Sequence, residues 1–242
     1  MRPQNIAPDD IKIVPLERLD VAYAPRRWTF AHERRPEIDA YFAQLQRENP
    51  ALWNGRVLLL RDFTILDGVF RGDCFDTDYA SFISWQCWDF PDRSVHDCFA
   101  MAAIQSSDGA FLLGVMGAHT FNAGQIYFPC GTPDPNDIVV DRLDFEGSVR
   151  RELAEETGFD VSEFAAEPGW YTVLGGVLVG HMKVMRSHAT ATELRERALA
   201  HLASEERPEL SDIRIVRGPD DLDSAMPPFV VSFLRHAWSR GI

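Results

Sequence analysis

Glu152, Glu155 and Glu156 crowd into the run Arg151-Glu152-Leu153-Ala154-Glu155-Glu156-Thr157-Gly158-Phe159. On a helix advancing about 100° per residue, they fall within an arc of roughly 100° on one face. Three carboxylates near a helix C-terminus are electrostatically unfavourable: the helix dipole prefers acids at the other end, and like charges at i, i+4 repel. A hard divalent cation would compensate, and magnesium favours carboxylates together with substrate phosphates over a closed protein cage. The plain alternative is a solvated, Glu-rich surface helix.

The element that must carry these acids has clear limits. Phe145, Val149 and Leu153 follow the i, i+4, i+8 rule on another face and supply an apolar anchor. Asp144 is a suitable N-cap and Gly158 suits the left-handed residue that ends a helix. A helix is therefore expected from Asp144 to Thr157.

The order Arg-Glu-apolar-x-Glu-Glu-x-Gly-apolar resembles the core of the Nudix box, the metal-binding loop-helix signature of the Nudix hydrolases. Upstream the pattern departs. Gly131 is followed, after Thr132 to Asn136, by Asp137 where the family carries Glu, and the stretch from Asp137 to Arg151 is six residues longer than the family's. The usual Gly-Gly opening reads Pro129-Cys130-Gly131.

The resemblance implies magnesium-dependent hydrolysis of a pyrophosphate bond, with manganese as a substitute, in a small molecule where a nucleoside diphosphate is linked to another moiety. It implies that Glu152, Glu155 and Glu156 hold the metal, with Glu155 or Glu156 the first candidate for the base, and that Arg151 pairs with Glu155 and orients it. The backbone carbonyl of Cys130 would take the place of the family's first glycine as a further ligand. Glu205 and Glu206 are weaker candidates for the base. The segment Asn49-Pro-Ala-Leu-Trp-Asn-Gly55, with Asp78-Tyr79 and Phe82, looks like the N-terminal region of the family's UDP-sugar pyrophosphatases. The alternative is a non-catalytic Nudix-fold sensor of a nucleotide or metabolite; such proteins typically lose the metal glutamates.

Around this helix, strands alternate with helices, which implies a layered mixed sheet. Strands are expected at Ile11 to Val14, Arg56 to Phe63, Thr64 to Phe70, Cys98 to Gln105, Phe111 to Gly117, Ile126 to Phe128, Trp170 to Leu174, Leu178 to Met185 and Asp212 to Val216. Helices are expected at Pro36 to Arg47, Asp76 to Trp85 with an Asp76/Thr77 cap, Thr190 to Ser204 and Pro227 to Ser239. The fold class is α/β (α+β). The resemblance implies a Nudix-type α/β/α sandwich in residues 96–242, and a smaller N-terminal α+β domain in residues 1–95 would shape the substrate site. The turn-rich Asp89 to Ser94 marks the expected boundary.

Composition narrows the partners. With 24 Lys plus Arg against 37 Asp plus Glu, the formal charge is −13, which on average repels nucleic acid. Neither an apolar run of about 20 residues nor a signal-type stretch is present, so no membrane association and a cytoplasmic location are expected. A homodimer is kept as an expectation. Cys74, Cys87, Cys98 and Cys130 are scattered, without zinc-site spacing, and read as buried thiols. Trp85, Trp88, Tyr127 and Phe128 read as core more readily than as stacking platforms, and His119 and His181 as structural histidines.

Overall fold

The computed structural model describes residues 10–242. The chain opens with β1 (Lys12–Leu16) and β2 (Arg18–Tyr23), followed by helices α1 (Thr29–Glu33) and α2 (Arg35–Glu48). A long hairpin of β3 (Arg56–Leu66) and β4 (Val69–Asp78) leads into α3 (Tyr79–Cys87). Then come β5 (Asp97–Gln105), β6 (Phe111–Met116), β7 (Ile126–Tyr127) and a short hairpin of β8 (Ile138–Val139) and β9 (Arg142–Leu143). Helix α4 (Phe145–Thr157), β10 (Phe164–Ala166), β11 (Trp170–Gly175), β12 (Leu178–Ser187), α5 (Ala191–Ser204), β13 (Leu210–Val216) and α6 (Pro228–Arg240) complete the chain.

Two mixed sheets result, giving the mixed α and β class the sequence predicts. The larger has eight strands in the order β1-β11-β12-β5-β6-β13, with β10 on β12 and β7 on β6. Its parallel pair is β12 with β5. Strand β5 is buried at every position, from Asp97 to Gln105, as expected of a central strand covered on both faces. The covers are identifiable. Phe99 meets Phe229 of α6 edge to face, whereas the neighbouring residue Ala100 is in register with His181, whose ring meets Phe145 of α4. Successive strand residues point to opposite faces, so α4 and α6 lie on opposite sides of this sheet.

The smaller sheet has five strands in the order β3-β4-β2-β9-β8, with β2 parallel to β4. Strand β3 serves two cores by alternation. Val57 and Leu59 pack with Ile38, Phe42, Phe75, Ile83 and Trp85 beneath α2 and α3. Leu58 and Leu60 join the main core of the larger sheet.

Hydrogen bonding crosses the boundary expected near residue 95 in both directions: β1 pairs with β11 in the larger sheet, and β9 pairs with β2 in the smaller. The first nine residues of the expected N-terminal domain lie outside the described residues. Helix α3 begins later than predicted. Asp78, not Asp76 or Thr77, is its cap, accepting from the Ser81 N–H at 2.8 Å, because the β3–β4 ladder runs on through Asp76 and Thr77 and ends at Asp78, in register with Arg56. The Asp67-Gly68 pair, with φ of 50° and 71°, is the hairpin turn itself, so the segment from Thr64 to Phe70 is two strand ends and a turn. Among the described residues, no helix is long and apolar enough to cross a membrane.

His181 sits at the centre of the larger sheet, fully buried, with Nδ1 2.7 Å from Thr172 Oγ1 and Nε2 3.5 Å from Cys98 Sγ. Burial pushes its pKa down to about 3, so the folded chain holds it neutral. Unfolding below about pH 6.5 then takes up a proton, and stability falls as pH drops from there toward 3, by at most about 1.4 kcal/mol per pH unit from this group. Buried Asp97 acts with the opposite sign: burial raises its pKa to about 6, so its contribution is lost as pH rises from 3.8. Urea denaturation of His181→Gln between pH 7 and 4 is expected to show a shallower acid loss than the wild type. Parallel curves for the two proteins would contradict a neutral His181.

Candidate active site

Helix α4 is built as its sequence requires. Asp144 caps it through Oδ1, 2.9 Å from the Gly147 N–H, and Gly158 closes it at φ 72°. Phe145, Val149 and Leu153 are buried in the main core. With that face fixed, Glu152 and Glu156 one turn apart are also drawn inward, each under 10% exposed. Glu155 stays outside, with its side chain 61% exposed. The three glutamates thus form a graded set, two buried and one at the surface, in place of three equivalent acids on an open face.

The loop before the helix closes over them. The Cys130 N–H donates to Glu156 Oε2 at 3.1 Å. Gly131 follows, and a Cβ at that position would stand 1.9 Å from Glu152 Oε1, so a larger residue would displace the carboxylate from its present place. The loop is held from behind by the Leu58 N–H, which donates to Pro133 O at 2.8 Å.

Arg151 organises the acids around itself. Its Nη1 donates to Glu152 Oε1 at 2.6 Å and to Glu155 Oε2 at 3.4 Å, and its Nη2 donates to both oxygens of Asp137 at 3.1 Å. The expected partner Glu155 is therefore the longest of three contacts. The buried Asp137 and Glu152 are the closer ones, which the sequence spacing did not reveal. Burial alone would lower the arginine's pKa, but the neighbouring Glu152 and Asp137 outweigh it and hold the guanidinium charged.

Burial raises the Glu152 pKa to about 7, with Arg151 opposing and Glu155 and Glu209 adding repulsion. Glu156 is pushed well above the usual carboxylate range by burial and by the charges of Glu152 and Glu209. Its Oε1 is buried without a hydrogen-bond partner among the described residues, an arrangement that ordinarily calls for an explanation. The Cys130 thiol, enclosed beside Glu156, is raised too, chiefly by burial. Its thiol is a poor ligand, and only its backbone carbonyl suits a hard cation.

Next to these groups lies a cavity of about 480 Å³. Cys130, Gly131 and Thr132 form one wall, Tyr127, Phe99 and Phe229 the apolar floor, and Asn49, Leu52 and Tyr79 the wall supplied by the N-terminal third. Arg207 and His119 are its basic groups, and Asn49 Nδ2 donates to the His119 carbonyl at 3.0 Å. Glu209 also lines it. The residue is exposed overall, yet surrounding protein and the charge of Glu155 raise its carboxyl pKa, against the opposing effect of His119. Its backbone carbonyl accepts from the Gly117 N–H at 2.8 Å.

Glu209 was missed in the sequence. Glu205 and Glu206, proposed for a distant acid, are exposed and do not line the cavity. No local signal distinguishes Glu209; its position follows from β13 pairing with β6. Trp85 is fully buried, with its Nε1 donating to the Asp92 carbonyl, and Trp88 is stacked by Arg34 at 4.2 Å. Phe128 and His181 are core, whereas Tyr127 and His119 border the cavity.

Among the described residues, no group of three or more His, Cys, Asp or Glu side chains forms a ready-made metal cage. The donor set nevertheless suits a hard cation: two buried carboxylates whose pKa values burial raises, one oxygen of Glu156 with no partner among the described residues, and a third acid within reach of Arg151.

No protein-family model matches the chain, and no curated protein matches it. A solved structure described as a Nudix hydrolase from M. Smegmatis, RenU, is similar at 14% identity, covering 60% of this chain and 85% of that one, with a TM-score of 0.38.

Replacing Arg151 by Met leaves Asp137 and Glu152 buried without their cation. Breaking a buried pair from one side costs about 3–5 kcal/mol. Because the Arg151 side chain is itself 36% exposed, the expected loss lies at the lower end, near 3 kcal/mol, in urea denaturation at pH 8. A loss below about 0.5 kcal/mol, the scale of a surface pair, would show that the arginine does not hold these acids.

Proposed function

We propose that this chain is a divalent-cation-dependent hydrolase that cleaves the pyrophosphate bond of a nucleoside diphosphate linked to another moiety, with magnesium the working ion and manganese a substitute. The observation that carries this reading is the buried Oε1 of Glu156, without a partner among the described residues, beside Glu152 and behind the Cys130–Gly131 wall of a cavity of about 480 Å³. Glu152, Glu155, Glu156 and the Cys130 carbonyl would hold the cation. Bound there, it would neutralise phosphate charge and make a water nucleophilic.

The chain's own groups supply the remaining requirements. Arg151 fixes Glu152 in place through a 2.6 Å bond. Arg207, which has no ion pair within 4 Å among the described residues, gives the cavity a free guanidinium for a phosphate oxygen. Glu209, its pKa raised, is placed to accept a proton from the attacking water, a role that Glu155 and Glu156 were first expected to fill. The aromatic and amide lining from Tyr79, Phe121, Asn122 and Asn49 suits a planar or polyhydroxylated moiety, and UDP-sugars are the first compounds to test.

Incubated with Mg²⁺ and a panel of UDP-sugars, ADP-ribose, dinucleoside polyphosphates and coenzyme A, the protein is expected to release a nucleoside monophosphate from at least one. Glu155→Gln and Glu156→Gln should each lower kcat by about 100-fold or more while circular dichroism stays unchanged. Wild-type turnover in either variant overturns the assignment of the acids. A panel without any hydrolysis, alongside retained ligand binding, makes the protein a metabolite sensor.

The proposed base has its own test. Glu209→Gln is expected to lower kcat by roughly 100-fold with little change in the Mg²⁺ concentration needed for half-maximal rate, and Glu205→Gln and Glu206→Gln to leave both unaltered. Equal effects of the three changes would remove Glu209 from the chemistry.

A further inference from the structure

A second concavity, of about 240 Å³, lies on the N-terminal part of the molecule, away from α4, and its lining has the opposite character. Arg26, Arg27, His32, Arg35 and Arg56 face it together with Thr77 and a single acid, Asp76. In a chain whose formal charge is −13, four guanidiniums converging on one cavity go against the average composition.

The acids around these arginines fix them in orientation. Arg26 Nη2 donates to Asp73 at 2.9 Å, Arg35 Nη2 to Asp78 at 2.8 Å, and Arg56 Nε to Asp76 at 2.9 Å. Arg35 also bonds Asp39 through Nη1 at 3.1 Å and Ser81 through Nη2, so its terminal donors are taken, whereas Arg26 and Arg56, with five N–H donors each, keep donors over. Arg56 uses Nε and Nη2 on Asp76, and no acceptor takes its Nη1 among the described residues. The Nε of Arg26 is enclosed by protein, with no acceptor among the described residues. Arg27 and His32, both exposed, have no ion pair within 4 Å among the described residues, and the charge of Arg27 is uncompensated.

Oriented guanidiniums with spare donors match a ligand that is acceptor-only and multiply charged. Phosphoryl groups have that chemistry: several oxygens on one centre, geometrically suited to paired N–H donors. The volume equals roughly eight waters, enough for two linked phosphoryl groups.

We propose that the cavity between Arg26, Arg27, His32, Arg35 and Arg56 is an anion-binding site for a small molecule carrying a diphosphate group. It is separate from the acidic site on α4 and does not depend on the hydrolase reading. Without divalent cations, the acids of α4 repel the same anions, so the two sites can be told apart.

The test uses full-length protein stripped of divalent cations on a chelating resin and titrated with inorganic pyrophosphate by calorimetry at low salt. One site per chain is expected, weakening as salt is raised. Arg27→Ala combined with His32→Ala removes two exposed side chains that hold nothing else, so the melting temperature should stay within a few degrees while the dissociation constant rises about tenfold or more. Glu156→Gln should bind pyrophosphate as the wild type does. The proposal is overturned by absence of binding in the wild type, by an unchanged affinity in the double variant, by loss of binding in Glu156→Gln, or by citrate binding as tightly as pyrophosphate.

Discussion

The site depends on one constraint: two carboxylates a helical turn apart, Glu152 and Glu156, are held out of water against a glycine. A free helix with three acids near its C-terminus would turn them toward solvent. Helix α4 cannot turn, because Phe145, Val149 and Leu153 are locked into the main core. Burying each of those side chains contributes about 1.5–3 kcal/mol, against about 1–3 kcal/mol for leaving one carboxylate oxygen unpartnered. The anchor outweighs the strain, so the helix presents its acids inward and stays folded.

The smaller sheet makes this arrangement rigid. Its strand β3 is apolar on both faces from Val57 to Leu60, and this lets it sit between two cores while its backbone reaches the loop at Pro133. Farther along that loop, the β8–β9 hairpin joins the same sheet, where Ala22 is in register with Arg142 and the Tyr23 N–H donates to the Asp141 carbonyl at 2.9 Å. The extra residues between Asp137 and Arg151 therefore form two short strands of this sheet. The loop is tied at both ends, and Gly131 stays over Glu152. The N-terminal third thus acts on the site mainly through backbone hydrogen bonds, and through Asn49 and Leu52 as cavity wall.

What the sequence revealed follows from how local each determinant is. Helix α4, its Asp144 cap and its Gly158 end were all readable, because capping and 3.6-residue periodicity act within a few residues. The shared face of the three glutamates was readable too, but not their division into buried and exposed members, which depends on what packs over the helix. The start of α3 was misplaced by two to three residues because Asp76, Thr77 and Asp78 are all capping types and only the ladder partners of β4 decide between them. Strand β2 and the β8–β9 hairpin carry no strong alternation and exist through pairing with distant segments. The turn Val140-Asp141, with φ of 46° and 60°, lacks the Asn-Gly signal that such a turn usually shows. Glu209 and the partners of Arg151 depend on strand order and loop closure, which no short motif encodes.

Net charge was the poorest guide to local chemistry, for a physical reason. Interactions between exposed charges fade beyond about 8–10 Å in ordinary salt, so a ligand responds to the few groups lining its cavity and hardly at all to a sum over the chain. Near α4 that local field is set by Glu152, Glu156 and Glu209, with Arg207 and His119 opposing them. Between α1, α2 and β3 it is set by four arginines. The same residue types are used in reverse in the two places. At α4 one arginine, Arg151, holds several acids in position; in the other cavity Asp73, Asp76 and Asp78 hold several arginines. In each case the paired groups fix the geometry, and the groups left with unfilled valence, Glu156 at α4 and Arg27 in the other cavity, determine which sign of ligand the cavity can accept.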